Sequence, residues 1–399
     1  MLDHHLGIGG EIDGHGRLSG PRLLRLLGLL ETAADGVRRA SQHRPNGHAW
    51  GEPPCGCRRA ARQLRDLLGC PGIVHERGTT LRFLAFLALL IAVAGCGARG
   101  SRPAPIPLGE SRLAVPGGRI WFRVTGTDRG LPLVLVHGGP GFSSYYLKPL
   151  EALGDERIVV RYDQLGSGKS DSLADTTMFT IAHFVDELDS LRAHLGIQKW
   201  HVYGHSWGTI VGIEYYRAHP EHVASLIFAG PVFDMRAYGR RASELVQTLS
   251  DSSQRAVKNA LATGRFDAPA YQNAVGEFWG RYVFRHPVQA DLDSSLASFN
   301  QHLYEYMQGP SEFTITGTLA GYDAKPFLKE INVPTLVTVG EFDEVGPELA
   351  RSHAALIPGA RFTIFPGAAH LTTWDVPEST VAVVREFLRS ADGPVAARR

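Results

Sequence analysis

Six short runs rich in β-branched residues, apolar on both faces, recur along the chain: LVLVH (133–137), RIVVRYD (157–163), WHVYG (200–204), SLIFAG (225–230), TLVTVG (335–340) and RFTIF (361–365). Helical patterns separate most of them. A strand apolar on both faces must be covered on both faces, and strand–helix alternation achieves this as a mostly parallel sheet with helices on each side. The expected class is therefore α/β. Between the second and third runs the spacing predicts a helix with Thr180 as N-cap, Ile181, Phe184, Val185, Leu188, Leu191 and Leu195 on its apolar face, and Gly196 as its stop. Ahead of the first run, RLAVPGGRIWFRVTGT reads as two strands turning at Pro116-Gly117-Gly118, an edge hairpin.

The alternation breaks between residues 234 and 324, where aromatic and polar residues fall at mixed helical spacing (FWGRYVF, FNQHLYEYMQ). An insertion at this point of such a sheet is expected to cover the carboxyl ends of the strands, where ligands of open α/β sheets bind. The layout is thus a core in two parts, 111–233 and 325–399, with a helical lid at 234–324.

The third run leads into GHSWG (204–208), a Gly-X-Ser-X-Gly turn between the strand WHVYG and the helical TIVGIEYYRAHP. At such a strand–turn–helix junction the serine backbone is strained, and the flanking Gly204 and Gly208 leave Ser206 reachable beside a helix N-terminus. A serine hydroxyl is a weak nucleophile and needs a base oriented by a carboxylate. Asp343 in GEFDEV and His370 in GAAHLTTWD follow two late strands, in the order this architecture requires. The glycine-rich HGGPG (137–141) follows the first parallel strand and offers amides for a developing oxyanion; Gly139 and Trp207, the residue after the nucleophile, are the expected donors.

Taken together, HGGPG, DQLGSGKS (163–170), GHSWG, MQGPSEFTITGTLAGYD (307–323), GEFDEV and HLTTWD resemble the prolyl aminopeptidase (proline iminopeptidase) family of α/β-hydrolases, which includes the tricorn-interacting aminopeptidase. The resemblance runs from about Ser111 to Leu388. It implies an α/β-hydrolase fold and release of one N-terminal residue, proline or another small or apolar one, through an acyl-enzyme on Ser206. An amidase or carboxylesterase acting on aminoacyl amides or small esters is the alternative. In that family two glutamates bind the substrate's free α-amine, and the matching positions are Glu312 and Glu344. A cationic amine between two desolvated carboxylates relieves their mutual repulsion. His205 departs from the family, which often has glycine before the nucleophile.

Composition excludes other classes. With 41 Lys and Arg against 40 Asp and Glu, a formal charge of +1, no basic excess exists to hold a nucleic acid. No metal or cofactor is expected, because the histidines lack ligand spacing and water is the only second substrate required.

The first 73 residues show no sustained periodicity and read as an unstructured leader or as sequence upstream of the true start. From Val74 to Gly95, Arg77 and Arg82 precede an apolar run, Phe83 to Ala94, too short to span a bilayer. VAGC (93–96) resembles the bacterial lipobox, making Cys96 the expected lipidation site, followed by a Pro- and Gly-rich tether over 96–110. The expected location is the outer face of the bacterial cell membrane, through a lipid anchor; a cytoplasmic protein is the alternative. All four cysteines lie at or before Cys96, so no disulfide is expected in the folded part.

Overall fold

The computed structural model describes residues 105–393; the leader, the apolar run, Cys96 and most of the tether lie outside them. One eight-stranded sheet organises the chain: β1 Gly109–Val115, β2 Gly118–Gly126, β3 Leu133–Val136, β4 Ile158–Asp163, β5 Trp200–His205, β6 Val223–Ala229, β7 Thr335–Gly340 and β8 Arg361–Phe365. The spatial order is β1-β2-β4-β3-β5-β6-β7-β8. β1 and β2 form the expected antiparallel hairpin, and β2 adds antiparallel to β4. From β4 onward the neighbours are parallel. β1 begins at Gly109, inside the stretch read as tether, because all seven of its residues pair with β2.

Alternate residues of the central strands feed two separate cores. Val134, Val136 and Phe228 pack on one face with Phe184 and Leu188 of helix α1 (Ile181–His194) and Ile210 of α2 (Trp207–Ala218). Leu133, Leu135 and Ile227 pack on the other face with Tyr146 and Leu150. Thr180 caps α1, its hydroxyl accepting from the His183 N–H at 3.2 Å, and Gly196 follows with φ +67°.

Residues between β6 and β7 form α3 (Met235–Val246), α4 (Asp251–Thr263), α5 (Pro269–Phe278), α6 (Gln289–Ala297) and α7 (Gln301–Met307), with a π-helical turn at Trp279–Val283. Local chemistry sets their ends. Asp234 accepts from the Arg236 and Ala237 amides, Asn300 accepts from Leu303, and Gly264 closes α4 in the left-handed conformation. Tyr271, Phe278 and Phe313 give this region a core of its own. The chain completes the sheet's cover with α8 (Pro347–Ala354) and α9 (Pro377–Asp392), the latter placing Val384, Phe387 and Leu388 against the second face.

Strand order reverses direction between β3 and β5: the chain leaves β3 for β4 on one side, then crosses back to β5 on the other. A crevice opens at such a switch point beyond the carboxyl ends of the strands. HGGPG and Ser206 are the loops that leave β3 and β5 there.

Candidate active site

Ser206 sits at φ +54°, ψ −122°, the one non-glycine residue with positive φ among the described residues. Its neighbours explain how that conformation is held. A Cβ on Gly204 would come within 2.3 Å of the Gly208 carbonyl oxygen, and one on Gly208 within 2.2 Å of the Val136 carbonyl oxygen. Strand, turn and helix therefore approach closer than any other residue type permits, and the half-buried serine is left at the apex.

The loops after β7 and β8 bring Asp343 and His370 together. His370 Nδ1 donates to Asp343 Oδ1 at 2.8 Å, and the same oxygen accepts from the Val345 amide at 2.9 Å. Both side chains are buried. Room for the imidazole comes from Gly230, at the end of β6: a Cβ there would stand 2.5 Å from the ring. Nε2 has no hydrogen-bond partner among the described residues, and His370 and Ser206 line one cavity of about 80 Å³.

Gly138, Gly139 and Trp207 line the same cavity. The Gly138 N–H is engaged by Tyr146 Oη at 2.6 Å, whereas the Gly139 N–H has no acceptor within the described residues. The Trp207 amide opens α2 and, as a first-turn amide, has no acceptor within the helix. Two networks fix this turn. Gln164 donates from its backbone N to His137 Nε2 and from its side chain to the His137 carbonyl, and accepts from Trp207 Nε1 at 2.8 Å. On the other side Tyr146 meets His205 Nδ1 at 2.8 Å.

Glu312 and Glu344 line the same cavity. Glu312 is held by Tyr304, whose hydroxyl donates to Oε1 at 2.9 Å; its second oxygen has no partner, and neither has Glu344 Oε2. Burial raises both carboxyls. Burial is the larger cause for Glu344, with the His370 charge opposing the rise and Glu312 adding to it. Burial alone would depress His370, but Asp343, Glu344 and Glu312 override it and lift the imidazole to about 9. Glu344 Oε1 stands 3.6 Å from His370 Nε2.

Sequence reasoning missed the residues that hold this site in place. The lid binds the histidine loop directly, the His370 and Leu371 amides donating to the Tyr282 and Val283 carbonyls of the π-helical turn. Asp375 of HLTTWD joins the same loop to the lid, accepting from the Ala369 amide with one oxygen and from the Arg285 and His286 amides with the other. Tyr238 and Trp279 lie beside Glu344 and Glu312. Among the described residues no cluster of His, Cys, Asp and Glu is arranged to hold a metal ion.

The α/β-hydrolase fold family matches residues 132–377. A proline iminopeptidase from Heyndrickxia coagulans is 36% identical over 284 residues, 70% of this chain and 99% of that protein. The crystal structure of a proline iminopeptidase from Mycobacterium smegmatis superposes with a TM-score of 0.65 at 33% identity, over 71% of this chain and 99% of that one. The structure of VinJ superposes with a TM-score of 0.67 at 30% identity and the same coverage. With a serine elbow, a histidine held by an aspartate and two buried glutamates brought to one cavity, and relatives matched along nearly their whole length, the chain belongs to the proline iminopeptidase family of α/β-hydrolases.

Proposed function

We propose that this protein is a serine aminopeptidase that releases an N-terminal proline, or another small or apolar residue, from short peptides. The single observation that carries this reading is the placement of two buried, incompletely hydrogen-bonded glutamates, Glu312 and Glu344, on the cavity that also holds Ser206 and His370. A plain ester site has no need of such a pair, whereas a free α-ammonium compensates both desolvated carboxylates.

In this reading His370 Nε2 takes the Ser206 proton as Oγ attacks the scissile carbonyl, and Asp343 keeps the ring in the Nδ1–H tautomer. The tetrahedral oxyanion is received by the Gly139 and Trp207 amides. Collapse breaks the C–N bond, His370 returns the proton to the departing amine, and water, deprotonated by the same base, hydrolyses the acyl-enzyme. The apolar walls, among them Phe142, Phe299 and Leu319, suit a small apolar side chain.

Hydrolysis of L-prolyl and L-alanyl arylamides, compared with the same compounds N-acetylated, tests the reading. Free amines are expected to be cleaved and acetylated ones poorly; equal rates would sink amine recognition and favour an amidase or esterase. Ser206→Ala is expected to lower kcat by about four to six orders of magnitude.

For location, the reading is export with lipidation at Cys96. It is supported by Arg77 and Arg82 ahead of an apolar run and by VAGC at its end. No helix of the described residues is long and apolar enough to cross a membrane. Mass analysis of the native protein should find a chain beginning at a lipidated Cys96; an N-terminus at Met1 would refute it.

A further inference from the structure

The catalytic base and one of the amine-binding carboxylates are neighbours. His370 Nδ1 carries a hydrogen committed to Asp343 at 2.8 Å, so everything His370 does as a base happens at Nε2. That nitrogen faces Glu344 Oε1 at 3.6 Å with no hydrogen-bond donor or acceptor on it among the described residues, and both side chains are buried. A bare imidazole lone pair opposite an ionised carboxylate repels it, and burial removes the water that would screen the repulsion. One proton, on either atom, removes the conflict.

The surroundings supply no other positive charge. Asp343 and Glu312 add two more carboxyls to the cluster, and no lysine or arginine lines the cavity. His205, whose ring centroid lies 4.5 Å from that of His370, donates from Nε2 to the His370 carbonyl, and burial keeps it neutral. Tyr238 from α3 and Tyr304 from α7 face the glutamates as hydroxyls that burial holds protonated. The compensating charge is thus either a proton or something a ligand brings.

We propose that the free site keeps one proton on the edge shared by His370 and Glu344, and that a substrate ammonium, on seating against Glu344 and Glu312, expels that proton to solvent and so frees the catalytic base. This deepens the aminopeptidase reading and rests on it: the amine not only anchors the substrate but also switches the base on. The balance is one proton lost to bulk water for each ammonium bound. An acylated substrate brings no charge, leaves the proton on the shared edge, and meets a Ser206 without a base, so discrimination falls on kcat as well as on KM.

The test is calorimetric binding of L-prolinamide, an ammonium at about pH 7, to the Ser206→Ala protein in phosphate and in Tris, whose ionisation heats differ. About one proton released per ligand bound is expected, falling towards zero when Glu344→Gln is added. Binding with the same heat in both buffers overturns the proposal and leaves amine recognition standing; no binding in either buffer removes the reading beneath it. A second readout uses intact Ser206. Turnover of N-acetyl-prolyl arylamide should climb by up to about tenfold per pH unit towards pH 9, where bulk solvent takes the proton instead. A profile parallel to that of the free amine would also overturn it.

Discussion

His205 Nε2 donates to the backbone carbonyl of His370 at 3.0 Å, so the residue before Ser206 carries the His370 loop. A carbonyl only accepts, which fixes His205 as the Nε2–H tautomer; its Nδ1 therefore accepts from Tyr146, and Tyr146 accepts in turn from the Gly138 N–H. One buried line of hydrogen bonds thus ties the HGGPG turn to the His370 loop. His205→Ala is expected to lower kcat by about 10- to 100-fold with little change in KM, because misplacing a reacting group by about 1 Å has effects of that size. His205→Gln, whose amide supplies both a donor and an acceptor, should recover part of the loss. Steady-state kinetics on the three proteins decide it: a fall confined to KM, or no recovery with Gln, would leave His205 a packing residue.

Gly230 makes room for the His370 ring. Any Cβ there meets the His370 ring at 2.5 Å, and the backbone has φ +53°. Gly230→Ala is expected to cut kcat by at least about 100-fold and to slow acylation by a fluorophosphonate equally, while a circular dichroism spectrum like that of the parent shows the fold retained. Normal labelling would mean that the ring has another place to stand.

On the proposed function, Glu312 gives a cleaner separation of binding from chemistry than Glu344, which stands 3.6 Å from His370 Nε2. Glu312→Gln keeps the shape and removes the charge. For free-amine substrates kcat/KM should fall by about 10- to 100-fold, the usual worth of a charged hydrogen bond, and N-acetylated substrates should be unaffected. Equal losses on both substrates would show a general disturbance of the pocket.

A second serine, histidine and aspartate meet far along the same strands. His201 Nδ1 accepts from Ser225 Oγ at 2.7 Å, its Nε2 donates to Asp392 at 3.0 Å, and Arg157 donates to Asp392 at 2.9 Å. Ser225 and His201 are fully buried, so this trio fastens α9 to the sheet instead of reacting. Asp392→Ala would leave Arg157 buried without its partner and should destabilise the fold by about 3–5 kcal/mol in urea unfolding. The acid side should matter too. Burial lowers His201, so the unfolded chain binds more protons and stability drops as pH falls through the ordinary histidine range. Asp392, lowered by His201 and Arg157 against the effect of burial, contributes above the ordinary carboxyl value and loses that contribution at lower pH still. An unfolding midpoint that is flat from about pH 7 to 4 would contradict this.

The strands were legible because burial on both faces leaves no charged residue in positions such as 133–136 and 335–340, and because Gly and Pro bracket them. Asp343 and His370 were legible for a related reason: each lies in the loop just past such a strand, and parallel strands point their carboxyl ends the same way. What the sequence hid were contacts between residues far apart in the chain with no periodicity to announce them. Tyr146 and His205 are 59 residues apart, and Gly230 looks like any turn glycine until the imidazole is in place. The lid was readable as helical, yet mixed spacing left open which of its side chains turn downward, so Tyr304, Tyr238 and Trp279 emerged only with the packing.

The backbone of Ser206 holds a conformation that glycine adopts freely and serine resists. The rest of the molecule, through Gly204, Gly208 and the strands behind them, compels it. Ser206→Gly should therefore melt at a higher temperature than the active protein while hydrolysing nothing. On that outcome, thermal robustness and hydrolysis would pull against each other at a single atom pair, the Cα–Cβ bond of Ser206.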